Sequence, residues 1–113
     1  MTAWTEFTKE AVMTIPEGLI GVFQLARGEA NIAFVGRADD DLRTRVLEHL
    51  GKGYTHFQWV QLPWVKETYE MHCRLYHHAG GRKRLDLADH PYPSDGKVRA
   101  CPVSAQPPAL CEL

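Results

Sequence analysis

Three sets of side chains in this sequence have types and spacings that can do chemistry. Arg45 and His49 stand four residues apart in a segment of helical period, DLRTRVLEHL. At about 100° per residue, Leu42, Val46, Leu47 and Leu50 make one apolar stripe. Arg45 and His49 lie along one edge of it, so a guanidinium and an imidazole can reach past that helix toward the surface it packs on. His72 stands by itself, a polar residue inside the apolar stripe of a later helical segment. A histidine so placed is either satisfied by one core hydrogen bond or holds a metal, and the first asks less of its surroundings. The second set is the dense basic run Arg82-Lys83-Arg84, which reads as a phosphate-contacting loop or as a solvated turn. The third is the tail, where Cys101-Pro-Val-Ser104 is followed by Cys111 beyond Pro107-Pro108. A zinc site of Cys101, Cys111 and a His lacks the close cysteine pairing of a structural zinc centre. A loosely ordered tail is therefore the expectation there.

The elements that must position these groups follow from periodicity and turn chemistry. Gly21 to Arg27 and Asn31 to Gly36 are β-branched and aromatic runs about Gly28-Glu29, which predicts a hairpin. Asp39, Asp40 and Asp41 can cap the helix that carries Arg45, and Gly51 can end it. Tyr54 to Leu62 alternates and predicts a third strand buried on the side of Phe57 and Trp59. Pro63 opens a second long helix, with Trp64, Thr68, Met71, Leu75 and Ala79 as its apolar stripe, widened by Val65 and Tyr76. Lys66, Glu70, Arg74 and His77 fall on its opposite side, and Gly80-Gly81 stops it. Before the hairpin, residues 2 to 13 predict a short helix capped by Thr2, a lid over the sheet edge. After the second helix, His90-Pro91-Tyr92-Pro93 predicts a rigid exit that packs Tyr92 back on the domain.

This arrangement resembles the GIY-YIG nuclease family. Gly21-Val22-Phe23 stands where the first motif would be, and Phe34-Val35-Gly36 where the second would be, with the two Phe residues eleven positions apart. Arg45 and His49 then match the family's helical Arg and, in some branches, its His, after one extra residue in the Asp run. The likeness spans residues 20 to 92, with 1 to 19 a helical lead-in and 93 to 113 a Pro- and Cys-containing tail. It implies an α+β domain, a small three-stranded antiparallel sheet flanked by helices. It also implies that Phe23, Phe34, Arg45, His49 and His72 occupy catalytic positions and converge on one concave surface.

The departures from the pattern bear on chemistry more than on fold. Both motif tyrosines are Phe here, which keeps the ring and removes the hydroxyl needed for proton transfer and hydrogen bonding. His72 stands where the family's metal-binding Glu would be, and a hard ion such as Mg²⁺ prefers oxygen ligands. Asp86 or Leu87 stands where an Asn is common. An active enzyme would need Mg²⁺ or Mn²⁺, held by Glu67 or Glu70, with Arg45 stabilising phosphate charge and His49 as base. The eroded positions favour instead a module that requires no cofactor and binds DNA or a protein. Its nucleic-acid contacts would come from Arg37, Arg45, Arg82, Lys83 and Arg84.

Composition narrows the classes further. A chain of 113 residues can build its own core, and a formal net charge of −1 gives no global attraction to nucleic acid or an anionic membrane. Any basic surface must be local. Three irregularly spaced cysteines do not make a secreted disulfide framework. No run is long enough to span a bilayer, and the N-terminus lacks a signal peptide's regions, so a cytoplasmic location without membrane contact is expected. Nothing in the sequence specifies an oligomeric state.

Overall fold

A computed structural model describes residues 1–28, 31–86, 90–93, 99–108 and 111. The elements run β1 (Thr5–Glu6), α1 (Lys9–Val12), β2 (Gly21–Ala26), β3 (Ile32–Ala38), α2 (Leu42–Leu47), β4 (His56–Gln61), α3 (Val65–His78) and a closing 3-10 turn (Gly81–Lys83). The architecture is α+β. Its antiparallel sheet has the order β1-β4-β2-β3, so the hairpin's second strand lies at one edge. Gly28 sits in the hairpin turn with φ +83°, a conformation that suits glycine, and Glu29 lies outside the described residues.

The sheet has four strands where three were expected, because the lead-in supplies one. β1 pairs with β4, and beside that pairing Thr2 N–H donates to the Trp59 carbonyl at 2.9 Å and Phe7 N–H to the Thr55 carbonyl at 2.8 Å. An unpaired edge of backbone donors and acceptors is the physical reason. The lead-in does cover the edge, by strand pairing rather than as a helix over residues 2 to 13. Its helix is a single turn, capped by Thr8 instead of Thr2: the Thr8 hydroxyl accepts from Ala11 N–H at 3.2 Å.

Register sorts side chains onto two faces. Leu25 stands opposite Phe34 and Phe57, and Phe23 opposite Gly36 and Trp59. Phe23, Leu25 and Phe57 pack with Val12 and Ile15 and with Leu42 and Val46 of α2. Each such side chain, fully buried, contributes roughly 1.5–3 kcal/mol. Val35, the next residue on β3, points to the other face and packs with Tyr76 of α3 and Leu85. Helices α2 and α3 therefore cover opposite faces of one hairpin. Gly36 is required by this packing, since an added Cβ would overlap the Phe23 ring and come within 2.8 Å of Phe34 Cε1.

Asp41 precedes α2 and ties two segments together. Its carboxylate accepts from Gly18 N–H at 2.7 Å and from the Thr44 hydroxyl, and these bonds hold it below the usual carboxylate range. Helix α3 starts at Val65 after an extended Trp64, and its buried side is Thr68, Tyr69, Cys73 and Tyr76. Trp64, expected in the apolar stripe, is 66% exposed. It is the extended N-cap, outside the first turn of α3, so the helical period does not carry it onto the buried face. Cys101 and Cys111 are buried against Tyr69 and Cys73, which corrects the expectation of a loose tail. His90 is the buried anchor of the exit segment, and Tyr92, expected to pack back, is 54% exposed.

Candidate functional site at the sheet edge

Because β3 is an edge strand, helices on opposite faces can meet beyond it. A cavity of about 270 Å³ lies there. The hairpin contributes Phe23, Phe34, Val35, Gly36, Arg37 and Asp39; α2 and the turn after it contribute Arg45, Glu48 and His49; α3 contributes His72. All five positions Phe23, Phe34, Arg45, His49 and His72 thus line one concave surface.

The aromatic wall is continuous. The Phe34 and His49 rings have centroids 4.5 Å apart, Phe23 and His49 5.6 Å, and Phe23 and Phe34 5.9 Å. Burial and the nearby Lys52 charge push the His49 pKa down, so its imidazole is neutral at pH 7. His72 is more strongly affected. Burial, joined by the Arg37 charge, drives it to about 3, and its Nε2–H donates to the Val35 carbonyl at 3.3 Å. His72 is therefore a neutral, partly buried histidine with one hydrogen bond at the cavity wall, nearer the less demanding of its two sequence readings.

The charged residues of the cavity are paired. Arg37 Nε lies 3.2 Å from Asp39, and Arg45 makes contacts of 3.0 Å to Glu48 and 3.5 Å to Asp40. Arg37 also donates to the Tyr92 carbonyl, with its guanidinium 5.7 Å from the Tyr69 ring centroid. Two arginines against Asp39 and Glu48, with both imidazoles neutral, leave the lining with no net charge. Four buried polar atoms of lining residues have no hydrogen-bond partner among the described residues: Arg37 Nη1, Arg45 Nε, His49 Nδ1 and His72 Nδ1. Such a concentration at one place suits a bound polar group.

Sequence reasoning missed Glu48 and took Asp39 for a helix cap. The signal for Glu48 was its place three residues after Arg45, which lets the two side chains pair along the helix.

Other candidate residues lie elsewhere. Glu67 is absent from the cavity lining, and Glu70 lines a separate depression with Lys66, Arg99 and Cys101. On a helix neither shares the direction of His72, so they supply no oxygen ligands at this point. Arg82, Lys83 and Arg84 are exposed on the turn after α3. Arg84 lines a larger, open depression of about 440 Å³ with Asn31, Ile32, His78 and Ala79, at the far end of β3. Asp86 accepts from Arg27 at 2.7 Å and from the Tyr54 hydroxyl at 2.7 Å; Leu87 lies outside the described residues. The side chains that could hold a transition metal, His77, His90, Cys101 and Cys111, gather by the C-terminal segment and take no part in the cavity lining. No family model, curated protein or solved structure matches this chain.

Proposed function

We propose that this chain is a GIY-YIG-nuclease-like module that binds nucleic acid and has lost the hydrolytic reaction. The observation carrying this reading is the edge cavity itself. Phe23, Phe34, Arg45, His49 and His72 line it together, while both of its carboxylates, Asp39 and Glu48, are engaged by arginines. The half-buried Phe34 and His49 rings in the cavity wall suit stacking with an unpaired base. With no net charge in the lining, the cavity adds little to counter-ion release. The salt-dependent part of binding falls to exposed Arg82, Lys83 and Arg84.

The test is fluorescence anisotropy with single-stranded, duplex and branched DNA and with RNA, beside plasmid nicking in Mg²⁺ or Mn²⁺. Binding that weakens in Arg45→Ala, with no nicking by the wild type, is the expected result. Failure to bind any of these nucleic acids overturns the proposal. A second reading, a divalent-metal-dependent endonuclease, draws on the neutral His49 imidazole beside Arg45, a protonation state suited to a general base. Metal-dependent nicking abolished by Arg45→Ala would establish that reading in place of the first.

A further inference from the structure

Away from the cavity, where α3 ends and the C-terminal segment returns to it, four side chains converge on one point. His77 Nε2 lies 3.1 Å from His90 Nε2, 3.3 Å from Cys101 Sγ and 3.7 Å from Cys111 Sγ. The four ligand atoms all lie within 4.8 Å of one another. We infer that His77, His90, Cys101 and Cys111 form a tetrahedral site for a transition-metal ion, Zn²⁺ first among them, that fastens the C-terminal segment to α3.

Bond lengths decide the fit. Zinc at about 2.0–2.1 Å from nitrogen and 2.3 Å from sulfur, with tetrahedral angles, sets ligand atoms about 3.3 Å apart for N and N, 3.6 Å for N and S and 3.8 Å for S and S. The three separations from His77 Nε2, 3.1, 3.3 and 3.7 Å, lie close to these values, and the remaining pairs, all within 4.8 Å, need only a small inward movement of side chains to surround one ion.

Hydrogen bonding alone does not account for the cluster. His90 Nδ1 lies 2.8 Å from the Pro91 carbonyl, so it carries the proton and leaves Nε2 with a lone pair. One N–H on His77 Nε2 cannot point at His90 Nε2, Cys101 Sγ and Cys111 Sγ together, whereas a cation among them serves all four. Cys101 is also held by the turn after it. The Ala105 N–H closes the turn on the Cys101 carbonyl at 2.8 Å.

The chemistry balances simply. Each cysteine releases its thiol proton to solvent on binding, and the two thiolates neutralise the dication with no change of oxidation state. Soft sulfur and imidazole donors select Zn²⁺ over Mg²⁺. The site is independent of the nucleic-acid reading. It holds the segment whose Tyr92 carbonyl accepts from Arg37 in the cavity.

The experiment is elemental analysis of the full chain purified from zinc-supplemented culture, followed by cobalt titration of the chelator-stripped protein. About one zinc per chain is expected, with the visible d–d bands of tetrahedral cobalt and sulfur-to-cobalt charge transfer. Removal of an outer-shell partner commonly weakens metal binding 10–100-fold, so Cys111→Ser and His90→Asn should weaken it by more than ~100-fold. Cys73→Ser, which alters a buried thiol outside the ligand set, should leave it intact. If a ligand variant fails to fold, the wild-type cobalt spectrum decides by itself. Absence of a tetrahedral cobalt spectrum in the folded wild type would overturn the inference. A Cys101–Cys111 disulfide in protein purified under reducing conditions would do the same.

Discussion

Acidification from pH 7 to pH 5 should destabilise this domain most strongly through His72, whose pKa is displaced further than that of His49. Burial against β3 and the Arg37 charge push its pKa down from 6.5 to about 3, more than the bond to the Val35 carbonyl raises it. His90, from the segment after α3, also disfavours the protonated form. The unfolded chain therefore takes up a proton below pH 6.5 that the folded chain refuses until about pH 3. The stabilisation is fully present above pH 6.5 and is lost as pH falls through that window. At pH 5 the gap is 1.5 units, which at about 1.36 kcal/mol per unit amounts to about 2 kcal/mol, or roughly a 30-fold change in the folding equilibrium. Urea unfolding at pH 7 and pH 5 measures it, with wild type compared against His72→Leu. The other titrating groups are common to both proteins and cancel in the difference. Wild type should lose about 2 kcal/mol more than the variant over this interval. Equal losses would show that His72 is accessible to protons in the folded state, and the account of its burial would be wrong.

Two further outcomes follow from the sheet. Gly36→Ala places a methyl group against the Phe23 and Phe34 rings and should cost about 1–3 kcal/mol, read as a lowered melting temperature; unchanged melting would mean that the hairpin is packed differently. Deleting residues 1 to 6 removes β1 and bares the β4 edge, so the shortened chain should self-associate by light scattering while the full chain does not under the same conditions. A monomeric, fully folded truncation would deny β1 its protective role.

Local pattern made much of the architecture legible. Turn residues at Gly28, alternation across Phe57 and Trp59, and the helical period around Arg45 and Val46 each depend on neighbours within a few residues. Those signals predicted strands at 21–27, 31–36 and 54–62, which the structure has at 21–26, 32–38 and 56–61, and helices from about Asp41 and Pro63, which begin at Leu42 and Val65. The grouping of Phe23, Phe34, Arg45, His49 and His72 came from the resemblance to the GIY-YIG pattern rather than from periodicity, and all five line the edge cavity. What lay beyond local pattern were events between segments remote in sequence. β1 forms because β4 offers it a free edge, not because Thr5 and Glu6 carry a strand pattern of their own. α3 buries Tyr69 and Cys73 because the C-terminal segment covers that side, so periodicity against the sheet alone found Thr68, Leu75, Tyr76 and Ala79 but not the rest of the buried side. His77, expected in solvent, meets His90, Cys101 and Cys111 only through the return of that segment. Ligands ten or more residues apart leave no motif in the chain. Their convergence is a property of loop closure, and only the tertiary structure decides it.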